Sequence, residues 1–258
     1  MRAPPPGEIV LEGAAVQGAL LRGRAPAGTA DLRLDGQPVP VAPDGSFILG
    51  FDRDRSAPAV LVARLPDGRT AERTVPVAPR AWAIEHIGIA RRPTASTEEF
   101  LRMREGELAR IAAARSVDSG SGGWRQGFVW PARGRISGVF GSQRIYRGEP
   151  GSFHSGVDVA AGAGAIVVAP ADGVVVLAGP PSFSLEGNLV IVDHGMGLNS
   201  AFLHLATTAV RVGQTLRQGD PIGTVGASGR ATGPHLHWSM KWRDARVDPA
   251  RMTDGPPR

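Results

Sequence analysis

No cysteine occurs in the 258 residues, which excludes a disulfide frame and a thiolate metal site. Any bound metal must therefore rely on histidine and carboxylates. Lysine is almost absent too: of the 29 basic residues only Lys241 is one. No Lys/Arg-rich block of the kind that holds nucleic acid appears, so no nucleic-acid partner is expected. No stretch reaches the roughly 18 consecutive apolar residues of a membrane span, which argues against stable membrane insertion. The opening Met1-Arg2-Ala3-Pro4-Pro5-Pro6 lacks the apolar core of an export signal. Tyrosine occurs once, at Tyr146.

Glycine (35) and proline (22) are plentiful, and hydrophobic residues make up an ordinary 42%, a balance that favours turns and strands over a helical bundle. The length suits one large domain or two small ones. The net charge of +5 reflects arginine enrichment and reads first as a biased, solvated surface. A mildly basic surface also attracts anionic polymers at long range.

Three sections separate by pattern. Between about 9 and 77, short apolar alternations are broken by Asp35-Gly36, Asp44-Gly45 and Asp67-Gly68. Such pairs reverse a hairpin because glycine accepts the positive φ the turn needs. The segments 31–34, 46–51, 60–65 and 70–75 then read as strands of a small antiparallel sandwich. From 94 to 115 the period becomes helical: Ser96 with Glu99 forms a capping-box pattern, and Leu101, Leu108 and Ile111 recur on one face. The Ser/Gly-rich run 116–123 reads as a flexible linker. Beyond it, from about 128 to 249, short apolar runs at 165–169, 173–178, 188–193 and 221–225 are punctuated by glycine and predict a second all-β domain. The expected organisation is a β-sandwich over 1–82, a helix and linker over 83–125, a β-rich domain over 126–252 and a disordered tail over 253–258.

Chemistry concentrates in the second β domain. His154 and Asp158 stand as His-x-x-x-Asp, and His235 and His237 as His-x-His. Together they offer imidazole nitrogens and a carboxylate oxygen, the donor types of a catalytic zinc site, which takes three protein ligands and leaves one position open. In a strand, residues i and i+2 share a face, so His235 and His237 point together. Gly156 and the following Val157-Asp158-Val159 suggest that His154 lies in a loop entering a strand. His204 lies between the two pairs. A single histidine here would read as a hydrogen-bonded structural residue, and His194, before a Gly turn, and His86 receive that reading. Asp172 and Asp193 read as turn or strand-end residues.

The runs Phe153-His154-Ser155-Gly156-Val157-Asp158, Ala169-Pro170-Ala171-Asp172-Gly173-Val174-Val175, Phe202-Leu203-His204-Leu205 and Ser228-Gly229-Arg230-Ala231-Thr232-Gly233-Pro234-His235-Leu236-His237 resemble the lysostaphin/LytM family of zinc metallopeptidases. The resemblance covers about residues 129–249; the first section more weakly resembles the immunoglobulin-like modules that precede some members. It implies a zinc endopeptidase acting on peptidoglycan, with one Zn2+ per chain held by His154, Asp158 and His237. His204 and His235 would be the catalytic pair beside the metal. Zinc lowers the pKa of a bound water towards ~7, a neutral imidazole can pass the proton to the leaving amine, and a second donor can hold the oxyanion. No His-Glu-x-x-His occurs. Members often carry Tyr where this chain has Phe202, and Tyr146 is a candidate transition-state helper. Because the substrate lies outside the cytoplasmic membrane, the resemblance implies an exported, periplasmic protein whose signal this sequence does not contain, with a cell-wall or division regulator as a further partner.

Two other classes are open to the sequence. A catalytically silent relative would bind the wall and regulate an amidase; such proteins typically lose zinc ligands. A lipoyl- or biotinyl-like carrier would use Ala171-Asp172-Gly173 and Lys241, but would display that lysine at a hairpin tip and would have no use for the histidines.

Overall fold

The computed structural model describes residues 7–90 and 97–257. Contacts divide the chain into two compact units, Met1–Ala81 and Trp82–Arg258.

The paired strands of the first unit are all antiparallel, with one isolated parallel bridge between Val16 and Ala78. The strands are β1 (Val10–Glu12), β2 (Leu20–Arg24), β3 (Asp31–Leu34), β4 (Gln37–Pro38), β5 (Ser46–Gly50), β6 (Ala59–Arg64) and β7 (Thr70–Val75). They form a three-stranded sheet, β1-β2-β5, and a four-stranded sheet, β4-β3-β6-β7. Alternating burial along β6 leaves Ala59, Leu61 and Ala63 inward, with Phe47, Leu49 and Leu32 in the same core. Asp35-Gly36 joins β3 to β4 with both residues at positive φ, as a two-residue turn requires.

The second unit opens with β8 (Ile84–Ile87) and the helix α1 (Glu98–Arg115), followed by β9 (Arg135–Gly138), β10 (Gln143–Tyr146), β11 (Glu149–Pro150), β12 (Val157–Ala160) and β13 (Ile166–Val168). Then come β14 (Gly173–Leu177), β15 (Asn188–Asp193), β16 (Leu198–Thr208), β17 (Thr215–Leu216), β18 (Pro221–Val225), β19 (Leu236–Trp242) and β20 (Ala245–Val247). A ten-stranded sheet runs β17-β14-β15-β16-β19-β12-β9, with β13, β18 and β20 paired off that path. Trp238, Phe202, Ile191 and Leu205 are fully buried in it. A smaller sheet, β11-β10-β8, makes β8 a parallel neighbour of β10. The all-β class read from the sequence is what the chain adopts, with one α-helix among the described residues.

The helix differs from its sequence reading. Ser96 lies outside the described residues, and the N-cap is Thr97, whose side chain accepts from the Phe100 amide. Leu101 and Leu108 are exposed, at 56% and 49%. Of the expected face, Ile111 does turn inward; it and Ala114 pack on Leu177, Phe183, Leu189 and Ile191, and Arg104 and Glu107 complete the inner side. Charge decides the face: Arg104 makes a bidentate pair with Glu186 at 2.6 Å and a 2.8 Å bond to Glu107.

The run 116–123, expected as a flexible linker, is tied down. Ser119 donates from its amide and hydroxyl to Asp193 Oδ2 at 2.9 and 2.6 Å. Just beyond, Trp124 donates to the His194 carbonyl at 2.9 Å. In the expected tail, Thr253 bridges Phe128, and Trp130 Nε1 donates to the Gly255 carbonyl at 2.7 Å. Lys241 sits within the β19–β20 ladder opposite Arg246, with Asn199 of β16 on its other side.

Candidate functional site

Strand register builds the site. Asp158 on β12 stands directly opposite His237 on β19, and on its other side opposite Gly138 of β9. Cross-strand partners share a face with Cβ atoms ~5 Å apart, so the carboxylate and imidazole meet without any loop having to place them. His154 enters from the loop before β12. Its backbone is fixed by hydrogen bonds to and from Ser142 and Gly141 at 2.8 Å.

His154 Nε2, His237 Nδ1 and Asp158 Oδ1 converge at 3.0, 3.1 and 2.8 Å from one another. Three donors on a tetrahedral zinc would lie roughly 3.4 Å apart given zinc–nitrogen and zinc–oxygen bonds near ~2.1 Å. The donor set, two imidazoles and a carboxylate within one small space, therefore fits a divalent metal of this kind. His154 Nδ1 donates to the Val139 carbonyl at 3.0 Å, which leaves the lone pair of its neutral form on Nε2, facing the cluster.

Room for the cluster depends on missing side chains. A Cβ at Gly138 would lie 2.4 Å from Asp158 Oδ2, and one at Gly156 would lie 2.8 Å from His237 Nε2 and 2.4 Å from the Trp238 carbonyl.

His204 and His235 stand beside the triad, their ring centroids 4.9 Å apart; His204 is 6.3 Å from His237. His204 occupies a one-residue bulge of β16 with φ of 63°, a left-handed conformation uncommon for a side-chain-bearing residue. Its amide donates to the Glu186 carbonyl at 2.9 Å and its Nδ1 to the Ser228 carbonyl at 2.8 Å. His235 Nδ1 donates to the Gly233 carbonyl at 2.8 Å, and its Nε2 lies 3.8 Å from Asp158 Oδ1. In both histidines the Nδ1 hydrogen bond leaves Nε2 without one, and His235 Nε2 faces the Asp158 carboxylate.

The electrostatics sort the group. Burial pushes the Asp158 carboxyl up, but hydrogen bonds and charge from His154 and His237 outweigh it and hold the group well below the usual range. Burial pushes His154 down, yet Asp158 wins and leaves it raised. His237, more deeply enclosed, is lowered by burial despite the same carboxylate, and burial also lowers His204. His204 and His237 therefore favour the neutral form, the state in which an imidazole can ligate a metal or accept a proton.

Tyr146 lines the same cleft as His154 and Asp158. Phe202 is fully buried opposite Trp238, so the ring packs in the core. His194 is structural: fully buried, it donates from Nδ1 to the Asp172 carbonyl at 2.8 Å, so Nε2 accepts from Ser200 Oγ at 2.9 Å. Trp238 Nε1 completes the chain by donating to the same hydroxyl at 3.2 Å. Sequence reasoning missed Val139, Ser228, Gly233 and Glu186, which act through main-chain carbonyls that carry no residue-type signal.

Residues 152–249 match peptidase family M23. Cell division protein DipM of Caulobacter vibrioides is 37% identical over 129 residues, 49% of this chain and 20% of that protein. The DD-carboxypeptidase/endopeptidase Mpg of Neisseria meningitidis is 38% identical over 122 residues, 46% of this chain and 27% of that protein. The chain thus matches less than a third of the length of these curated relatives. A crystal structure of an M23 peptidase from Pseudomonas aeruginosa superposes with a TM-score of 0.69 at 30% identity, covering 92% of this chain and 94% of that one. With that relative 30% identical and matched over 94% of its length, and residues 152–249 fitting the family itself, the chain belongs to peptidase family M23.

Proposed function

We propose that the protein is a zinc-dependent endopeptidase that hydrolyses peptide bonds in peptidoglycan stem peptides or cross-links, in the periplasm. The observation that carries this reading is the conjunction of a His-Asp-His cluster with two further imidazoles beside it whose Nδ1 hydrogen bonds leave Nε2 without one. His154 Nε2, Asp158 Oδ1 and His237 Nδ1 would hold one zinc ion. When bound, zinc supplies Lewis acidity, which polarises a carbonyl and acidifies water.

The chain's own residues do the rest. His204 is kept neutral by burial, and its tautomer is set by the Ser228 carbonyl. Its Nε2 takes a proton from the attacking water and returns it to the leaving amine. His235 stands across from it to donate to the developing oxyanion, with Tyr146 in the cleft as a second candidate donor. The strained φ of His204 is held by the Glu186 carbonyl, so the base is set in place before substrate arrives. Residues 1–82 serve to keep the enzyme near wall or partner. That role is lost if deleting them leaves wall binding and activity unchanged.

The test is mass spectrometry of purified sacculi after incubation with zinc-loaded protein, beside His204→Ala. New free peptide ends that fall about 100-fold or more in the variant are expected. Intact sacculi with zinc bound would replace the enzyme reading with that of a non-cutting regulator.

A further inference from the structure

We propose that Arg230 reads the substrate: its guanidinium binds a carboxylate of the stem peptide close to the scissile bond. The inference rests on the peptidase reading and adds a recognition element to it. A cleft of about 690 Å³ adjoins the cluster, and His154, Asp158, Arg144, Tyr146, Glu85 and Arg230 are among its lining residues.

Of its four acidic and arginine side chains, three are engaged and one is not. Asp158 is engaged by His154 and His237. Glu85 and Arg144 neutralise each other through a 2.8 Å ion pair. Arg230 is exposed, and among the described residues its guanidinium has no ion-pair or hydrogen-bond partner. The cleft therefore presents one guanidinium without a partner on the same wall as His154 and Asp158.

The backbone under that cation is fixed. The Arg230 amide donates to the Leu185 carbonyl at 2.9 Å. Gly229, at φ +69°, is pressed so closely on the 185–187 segment that a Cβ would lie 2.3 Å from the Gly187 nitrogen. An arginine whose main chain is immobile while its fork is free is prepared to take a planar anion with two parallel N–H donors. Under the peptidase reading the ligand is a peptide, and the planar anion a stem peptide offers is its carboxylate. A neutral bridge peptide of glycines would leave the charge unmet, so the cleft selects acidic stem peptides over uncharged bridges.

The experiment measures binding, separately from catalysis. The zinc-loaded 258-residue protein carrying His204→Ala is titrated calorimetrically with a cross-linked stem-peptide dimer whose carboxylates are free, and with the same dimer fully amidated. Amidation is expected to weaken binding about 10-fold. Adding Arg230→Gln should cost the free-carboxylate dimer the same factor and leave the amidated one unchanged, while Arg230→Lys keeps part of the affinity. Equal losses on both dimers, no effect of amidation, or binding of neither dimer overturns the proposal; zinc content measured on every variant identifies a folding defect. Cleavage of the free-carboxylate dimer by protein with His204 intact reads the peptidase assignment independently. Carboxylate-dependent binding without cleavage would keep Arg230 in its role and remove the enzyme.

Discussion

Gly156 shows how much of the metal cluster is secured by single residues that carry no chemistry. Because a Cβ there meets the Trp238 carbonyl, a backbone atom that cannot swing aside, Gly156→Ala must push β12 away from β19 and displace the His237 imidazole. Zinc affinity should fall roughly 10–100-fold, the range seen when the supports of a ligand are lost. Competition with a chromophoric chelator measures it, and unchanged affinity would refute the crowding argument. His194 makes a second residue-level prediction. Burial lowers its pKa from 6.5 to about 4. The unfolded chain therefore binds one more proton between those values, and stability declines as pH falls from about 6.5 to 4, by about 3 kcal/mol in all. Urea unfolding of wild type and His194→Gln across that window should show a variant that starts lower but loses about 3 kcal/mol less; parallel losses would assign the pH dependence elsewhere. The ligand-type residues were legible because His-x-x-x-Asp and His-x-His are local patterns that strand geometry converts directly into convergence. The supports were not, since Ser228 meets His204 across 24 positions of chain and does so through a carbonyl.

Among elements, α1 is the one whose existence was legible and whose orientation was not. Apolar periodicity chose Leu101 and Leu108 for the inner face, but an ion pair with a residue 82 positions away turned the helix so that Arg104 faces inward. No local pattern encodes such a contact. Arg104 links α1 to the 184–187 segment: Glu107 accepts from the Ser184 hydroxyl and amide at 2.6 and 2.5 Å, and the Glu186 carbonyl holds the His204 amide. Arg104→Ala would leave two largely buried carboxylates, Glu107 and Glu186, without their shared cation. We expect a loss of about 2–3 kcal/mol, below the range for a fully buried pair. Arg104→Lys should recover only part of it, because the bidentate fork is gone. Denaturant midpoints of the three proteins test this, and full recovery by lysine would reduce the contact to simple charge. Strands β3, β7, β15 and β18 coincide with their sequence-read spans, because short apolar or alternating runs and their bounding turns are both written locally.

For the whole molecule, the boundary that matters is the start of the M23 unit. The sequence placed that start near 126, after a run of serine and glycine that resembles a hinge. The contacts place it at Trp82. Glycine was a misleading guide here, because some of these glycines mark close approach: a Cβ at Gly123 would lie 1.9 Å from the Asp172 carbonyl. Upstream of 126 the unit holds β8, which supplies β10 with a parallel partner, and Trp82, whose ring meets Phe140 at 5.8 Å. It also holds Ile111 and Ala114 in a hydrophobic cluster, and both Ser119 hydrogen bonds to Asp193. A fragment of residues 126–258 should therefore expose Leu177 and Phe183 and strip one edge from β10, while 82–258 keeps every one of these contacts. With several kcal/mol removed from a unit of this size, the shorter fragment should melt on the order of 10 °C below the longer one. Its peptide-cleaving rate should also fall with zinc binding kept, because His204, the proposed base and not a ligand, loses the α1 clamp on the segment whose carbonyl holds it. Calorimetric melting of the two fragments with and without zinc decides the matter. Coincident melting temperatures would mean that the segment 82–125 is only a tether and that the linker reading was correct after all.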